Sequence, residues 1–227
     1  MTEKPGFDEL PALIASMTGD EKHFHAAMST LDVLWVLYTR VLRVTPAMEE
    51  GRDRFYLSKG HGPMAYYATL AATGFLDPAE FQRFGAFHSP LGHHPDRVLV
   101  PGVEISSGSL GHGLPLAVGT ALGLRAQGRS EPAIWVLVGD GELDEGSNHE
   151  AIAYAGRARL DQLNVVLVDN ASATHGWPGG PESRFAVEGW STMRVNGRDH
   201  DALETAFTTP HAGRPHLVVA EVAEGGS

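Results

Sequence analysis

A chain without cysteine must bind metal through oxygen or imidazole, and two short stretches of this one supply suitable oxygens. Gly139-Asp140-Gly141 closes an apolar run over 133–138, and Asp169-Asn170 closes a second over 164–168. A hard cation such as magnesium takes oxygen ligands and usually keeps only one or two carboxylates plus the phosphates of its ligand, so Asp140 and the Asn170 amide oxygen are apt donors. Glycines flanking Asp140 let the backbone approach a diphosphate with no Cβ in the way. Both stretches stand where a strand should end, and open α/β sheets bind ligands outside the carboxyl ends of their strands. Gly-Asp-Gly alone also suits an ordinary loop, and Asp140 alone suits a helix N-cap. The matched Asn170 favours the metal and diphosphate reading.

Histidines form the second chemical group. Their ordinary pKa lies near neutrality, so one side chain can both bind oxygen and exchange protons. His61, in Ser-Lys-Gly-His-Gly, is the best placed by sequence, with an exposed turn residue as the plain alternative. His23 is a weaker candidate, and of His93 and His94 the second is preferred because Pro95-Asp96 follows it. Zinc held by His23 and His25, or by His88 with His93 and His94, lacks a fourth ligand at helical or hairpin spacing.

The elements that must carry these groups alternate. Helices are expected over 7–17, 30–44, 64–73, 114–127, 147–160 and 200–207, and strands over 54–58, 133–138, 164–168, 191–195 and 217–222. Leu31, Leu34, Trp35, Tyr38, Val41 and Leu42 recur at helical spacing on one face, and Gly74 and Gly128 stop their helices. The Gly/Pro/His-rich segment 85–102 is too long for an idle connection and reads as a functional loop. Apolar strands separated by helices make a doubly wound, mainly parallel α/β sheet with helices on both faces, formed by a single domain over 1–227.

Bulk numbers narrow the function. Of 227 residues, 28 are acidic and 17 basic, and the net charge of −11 argues against a nucleic-acid surface. No window reaches the roughly 18 apolar residues of a membrane span, and residues 1–20 lack an apolar core flanked by positive charge. A cytoplasmic location without membrane partners is expected.

Four ordered segments then resemble the transketolase family: "KHFHAAMSTLDVLWVLY", "FYLSKGHGPMAYY", "LGHHPDRVLVPGVEISSGSLGHGL", and "GDGELDEGSNHEA" followed by "LNVVLVDNASATHGW". Asn170 lies 29 positions after Gly141, matching the family's thiamine-diphosphate motif. The resemblance implies the thiamine-diphosphate-binding fold and the diphosphate-binding half of a split enzyme. Asp140, Asn170 and the Ser172 carbonyl would ligate magnesium, or another divalent cation such as calcium. Gly139, Gly141 and Glu142 would meet the diphosphate, and Gly108, Leu110 and Gly111 would cover the cofactor together with His61. His23, His61 and His94 would line the catalytic channel, and Glu145 and Glu150 would lie at a subunit contact.

A separate pyrimidine-binding subunit would complete the site, as a dimer of heterodimers acting on a small sugar or keto substrate. The implied reaction moves a two-carbon ketol unit from a ketose donor to an aldehyde acceptor. The alternatives are another thiamine-diphosphate carboligase or decarboxylase of specialised metabolism, and a noncatalytic regulatory paralogue. The chain departs from the family pattern at His25-Ala26-Ala27, at His112 and at His175, and it stops before a further phosphate-side histidine. These departures weaken a phosphorylated-sugar substrate while leaving metal and cofactor binding intact.

Overall fold

Ile134, Val136 and Val138 point to one side of their strand and Trp135 and Leu137 to the other, as the two-residue period of an extended chain requires. Both sides are apolar, so the strand must be covered on both faces, and it is. The computed structural model describes residues 4–17, 24–173 and 176–222. Its strands are β1 (Arg54–Leu57), β2 (Ile134–Gly139), β3 (Leu163–Asp169), β4 (Ser191–Asn196) and β5 (His216–Glu221), in the order β1-β2-β3-β5-β4. Every pairing is parallel.

One face carries α1 (Leu10–Ser16), α2 (Phe24–Met28), α3 (Leu31–Val36), α4 (Met64–Thr73) and, later in the chain, α8 (His200–Thr208). The other carries α5 (Gly113–Ala126), α6 (Gly146–Arg157) and α7 (Pro181–Ala186). Gly156 lets α6 settle on the turn before β4, since a Cβ there would stand 1.9 Å from the Glu188 carbonyl oxygen. Among the described residues no helix is long and apolar enough to cross a membrane.

The structure reshapes one expectation, keeps the loop over 85–102 and adds three short elements. The helix expected over 30–44 is α3 followed by a π-helical turn, Leu37–Val41, and the chain leaves it extended at Leu42. That early exit frees Arg43 to donate from its backbone N–H (2.8 Å) and its guanidinium to Asp53, at the entrance to β1. Segment 85–102 has no regular helix or strand; the Tyr67 hydroxyl secures it by donating to the carbonyls of Gly92 (3.0 Å) and His94 (3.1 Å). The short helices α2 and α7 and the 3₁₀ turn Pro78–Arg83 were not expected. For α7 and the turn, a proline at the first helical position was a usable signal.

Candidate functional site

In parallel strands of one sheet every carboxyl end falls on the same edge, so the residues after β1, β2 and β3 gather there. Gly139 pairs with Val168, and Asp140 and Asn170 therefore leave the ends of adjacent, hydrogen-bonded strands. Asp140 opens a 3₁₀ turn, Asp140–Asp144, and α6 starts only at Gly146 with Glu145 as its N-cap. Asp140 is thus not the cap of that helix.

Its carboxylate instead reaches across to the turn after β3. Oδ2 accepts from the backbone N–H of Ser172 (2.7 Å) and Ala173 (2.9 Å), and Oδ1 from the Ser172 hydroxyl (2.7 Å) and the Gly141 N–H (2.9 Å). Ala171 makes that turn with a left-handed φ of 56°, an unusual conformation for a residue with a Cβ. A carboxylate has about four lone-pair positions, so the chain's own donors already fill them and an entering cation displaces at least one. All four donors are neutral. Among the described residues no lysine or arginine pairs with Asp140, although it is only 8% exposed.

Its neighbour Asp169 is different. Arg194 on β4 binds Asp169 at 3.0 Å and also holds Glu182, and these acidic partners raise the guanidinium pKa. Asn170, directly after Asp169, is half-buried. The expected third ligand, Ser172, is exposed, and its N–H and hydroxyl are the groups that engage Asp140.

Glu142 plays a part that sequence reasoning did not assign. Its side chain is 2% exposed and accepts from the Ser58 hydroxyl, the Gly111 N–H (2.9 Å) and the Gly139 N–H (3.3 Å). Burial raises its pKa, and those hydrogen bonds and Lys59 draw it back. Ser58 in turn accepts from Gly113 (3.0 Å), while Asn148 donates to the Glu142 carbonyl (2.7 Å). One buried carboxylate therefore ties the tip of β1, the start of α5 and the Gly-Asp-Gly turn into one unit.

A cavity of about 210 Å³ opens over this unit, walled by Lys59, His61, Leu110, Gly139, Asp140, Gly141, Glu142 and Ser172. Of the expected cofactor residues, His61, Leu110 and the Gly-Asp-Gly group meet in its wall. Gly111 stands behind it with φ of 82°, and a Cβ there would fall 2.6 Å from Glu145 Cβ. Gly108 packs against the ring of exposed His94, where a Cβ would crowd Cδ2 at 3.2 Å. His94 and Asn170 are not in the cavity wall, and His23 and His175 lie outside the described residues. Glu145 and Glu150 are exposed on and just before α6, and His112 turns back to the Ser109 carbonyl at 3.0 Å.

Sequence reasoning also passed over Lys59. It is 6% exposed, donates to the Ala26 carbonyl (3.2 Å) and the Ser29 hydroxyl (3.1 Å), and burial lowers its pKa to about 8 against the opposing pull of Asp140 and Glu142. A lysine wedged between a strand tip and a glycine was the available signal.

The arrangement fits a hydrated divalent cation with a diphosphate. A carboxylate without a cationic partner among the described residues stands at the strand ends, the Ser172 hydroxyl lies 2.7 Å from it, and Gly141 leaves open space, with a Cβ there no nearer than 4.0 Å to Ala173 Cα.

Known proteins are similar along nearly the whole chain. The family profile described as "Transketolase, thiamine diphosphate binding domain" matches residues 14–225. A protein of Rhodococcoides fascians named Ferredoxin fas2 is 57% identical over 218 residues, covering 95% of this chain and 72% of that one. One of the subunits of apulose-4-phosphate transketolase from Actinobacillus succinogenes is 34% identical over 212 residues, covering 89% of this chain and 76% of that one. Among solved structures, transketolase from Leishmania mexicana aligns with a TM-score of 0.75 at 25% identity, and a transketolase mutant from Pichia stipitis with 0.81 at 24%. Each alignment covers 96% of this chain but 36% of the solved one, so the chain spans about a third of their length.

Proposed function

Because the chain belongs to the transketolase family, matching its thiamine diphosphate-binding domain, we propose that it is the diphosphate- and magnesium-binding subunit of a split enzyme. The reaction is transfer of a two-carbon ketol unit from a ketose to an aldehyde, and a separate pyrimidine-binding chain completes the site. The observation that carries this reading is Asp140, a nearly buried carboxylate held only by neutral donors beside a glycine-edged cavity. The Actinobacillus succinogenes relative, which is named as one subunit of its transketolase and of which this chain covers 76%, supports a two-chain enzyme.

Thiamine diphosphate, when bound, supplies the carbanion and electron sink for carbon–carbon cleavage. The chain's own residues do the rest. Asp140, the Asn170 amide and the Ser172 carbonyl hold the cation, while Gly139, Gly141 and Glu142 bring backbone to the diphosphate, with Gly108, Leu110 and Gly111 covering it. His61, in the cavity wall, and His94 and His23 bind hydroxyl or carbonyl oxygens and exchange protons with them. Glu145 and Glu150 contact the partner subunits in a dimer of heterodimers.

Calorimetric titration with thiamine diphosphate and magnesium, with and without the pyrimidine-binding chain, tests this. The expected result is binding that Asp140→Ala abolishes while the variant stays folded and melts cooperatively; wild-type protein that binds nothing in either setting contradicts it.

A second reading has one observation behind it: the relative at 57% identity is named a ferredoxin. In it the same cofactor site serves oxidative decarboxylation of a 2-keto acid, with water, to a carboxylic acid and carbon dioxide, and the two electrons released pass to an iron–sulfur carrier. Such clusters are held by cysteine thiolates, and these 227 residues contain none, so the cluster is held outside them. Reduction of an electron acceptor on addition of a keto acid, with no ketol transfer, selects this reading.

A further inference from the structure

Lys59 is a buried cation without a carboxylate at ion-pairing distance among the described residues. Its stem crosses the end of β2, where a Cβ on Gly139 would come within 3.2 Å of Lys59 Cδ. An ammonium has three N–H donors, and neutral acceptors, the Ala26 carbonyl and the Ser29 hydroxyl, take two of them and fix its direction. Burying a charge is costly unless a counter-charge arrives, and Lys59 spends this cost in the wall of the cavity that also holds Asp140. Its pKa of about 8 keeps it mostly protonated at neutral pH. A purely structural role is also available, since Ala26 lies in α2 and a cation suits the end of a helix. That role explains the hydrogen bonds but not why the charge lines a cavity.

We propose that Lys59 is a diphosphate-binding residue whose third N–H donates to a phosphate oxygen of the ligand that the Asp140 cation also grips. This inference rests on the cofactor reading above. With positive charge from both the cation and Lys59, the site favours a diphosphate over a monophosphate. A cation alone serves both.

The test titrates the full chain with inorganic pyrophosphate, and separately with inorganic phosphate, each with magnesium, by calorimetry. Lys59→Gln keeps a donor for Ala26 and Ser29 while removing the charge, Lys59→Met is a second neutral variant should the first fold poorly, and Lys59→Arg restores charge. Charge-assisted hydrogen bonds being about twice as strong as neutral ones, the neutral variants are expected to weaken pyrophosphate about tenfold or more and phosphate far less, and arginine to recover most of the loss. In the wild-type chain the Lys59 side-chain NMR signal is expected to shift with the calorimetric midpoint. An unmoved signal, or equal weakening of pyrophosphate and phosphate, overturns the inference. If Asp140→Ala abolishes pyrophosphate binding while the neutral Lys59 variants retain it, the Lys59 inference alone fails. If the wild-type chain binds no pyrophosphate, the cofactor reading fails with it.

Discussion

Asp53 and Asp140 stand at opposite ends of the same sheet, one just before β1 and the other just after β2, and each carboxylate accepts four hydrogen bonds from its own chain. They differ in charge. Asp53 is closed by the Arg43 guanidinium at 2.7 Å and by the Arg43 and Ala133 N–H groups, so it is satisfied and neutralised together. Asp140 is satisfied by neutral donors and has no cationic partner among the described residues. At the amino end of the strands the chain has completed its own electrostatics, and at the carboxyl end a carboxylate stands without a cationic partner among the described residues. Asp169 repeats the lesson beside Asp140, since Arg194 pairs with it and none of the described cations pairs with Asp140.

The sharpest way to break the comparison is to remove both carboxylates in turn. Asp53→Ala strands the part-buried Arg43 and Ala133 N–H groups and leaves the Arg43 guanidinium without its carboxylate, and since hydrogen bonds to a charged group are the stronger kind, urea unfolding should show a loss of about 2 kcal/mol. Asp140→Ala releases part-buried donors that are all neutral, leaves no cation unpaired, and should cost about 1 kcal/mol or less. The reverse order would show that Asp140 is the structural carboxylate.

A middle-sized effect is expected at Gly60, where a Cβ would fall 2.6 Å from Ser107 Oγ and 2.7 Å from the Gly108 N. Gly60→Ala should push the 107–108 segment away and cost about 1–3 kcal/mol, as overpacking does. Thermal melting without any loss would mean that the segment is not packed there.

The Asp169 ion pairs are partly exposed, and such pairs contribute about 1 kcal/mol or less. Arg194→Ala should therefore change stability by no more than that, while leaving Asp169 as a second unpaired carboxylate. Unfolding in denaturant with a larger loss would place Arg194 in the structural class with Arg43.

The smallest effect is a pH dependence at the amino end. His216 is fully buried, stacks on His211 with ring centroids 4.8 Å apart, and directs Nε2 at the Ala206 carbonyl at 3.2 Å. Burial holds its pKa below the ordinary 6.5, so the unfolded chain binds the proton first as pH falls below that value. Stability from neutral His216 is thus present above pH 6.5 and declines as pH drops toward the lower folded pKa. His216→Gln should flatten that slope; an unchanged slope would assign the acid sensitivity elsewhere.

Much of this was legible in the sequence, for physical reasons. The apolar runs over 133–138 and 164–168 allow burial on both faces, which fixes β2, β3 and the layers around them. Gly-Asp-Gly and Asn170 follow strands directly, so parallel pairing brings them to one edge without further information. What stayed hidden depends on contacts distant in sequence. Glu142 as the node for Ser58 and Gly111, and Lys59 reaching Ala26 and Ser29, involve partners 30 or more positions away. The π-helical exit at Leu37–Val41 likewise follows from where Arg43 must meet Asp53, not from local propensity.

Crystals grown with thiamine diphosphate and manganese, in the presence of the pyrimidine-binding chain, offer the most direct test through the anomalous signal of the metal. The expected peak lies about 2.0–2.3 Å from an Asp140 carboxylate oxygen and from the Asn170 amide oxygen, with Ser172 released from at least one of its bonds to Asp140. A bound diphosphate whose metal sits away from Asp140, with the turn at 171–173 still closed on that carboxylate, would contradict it.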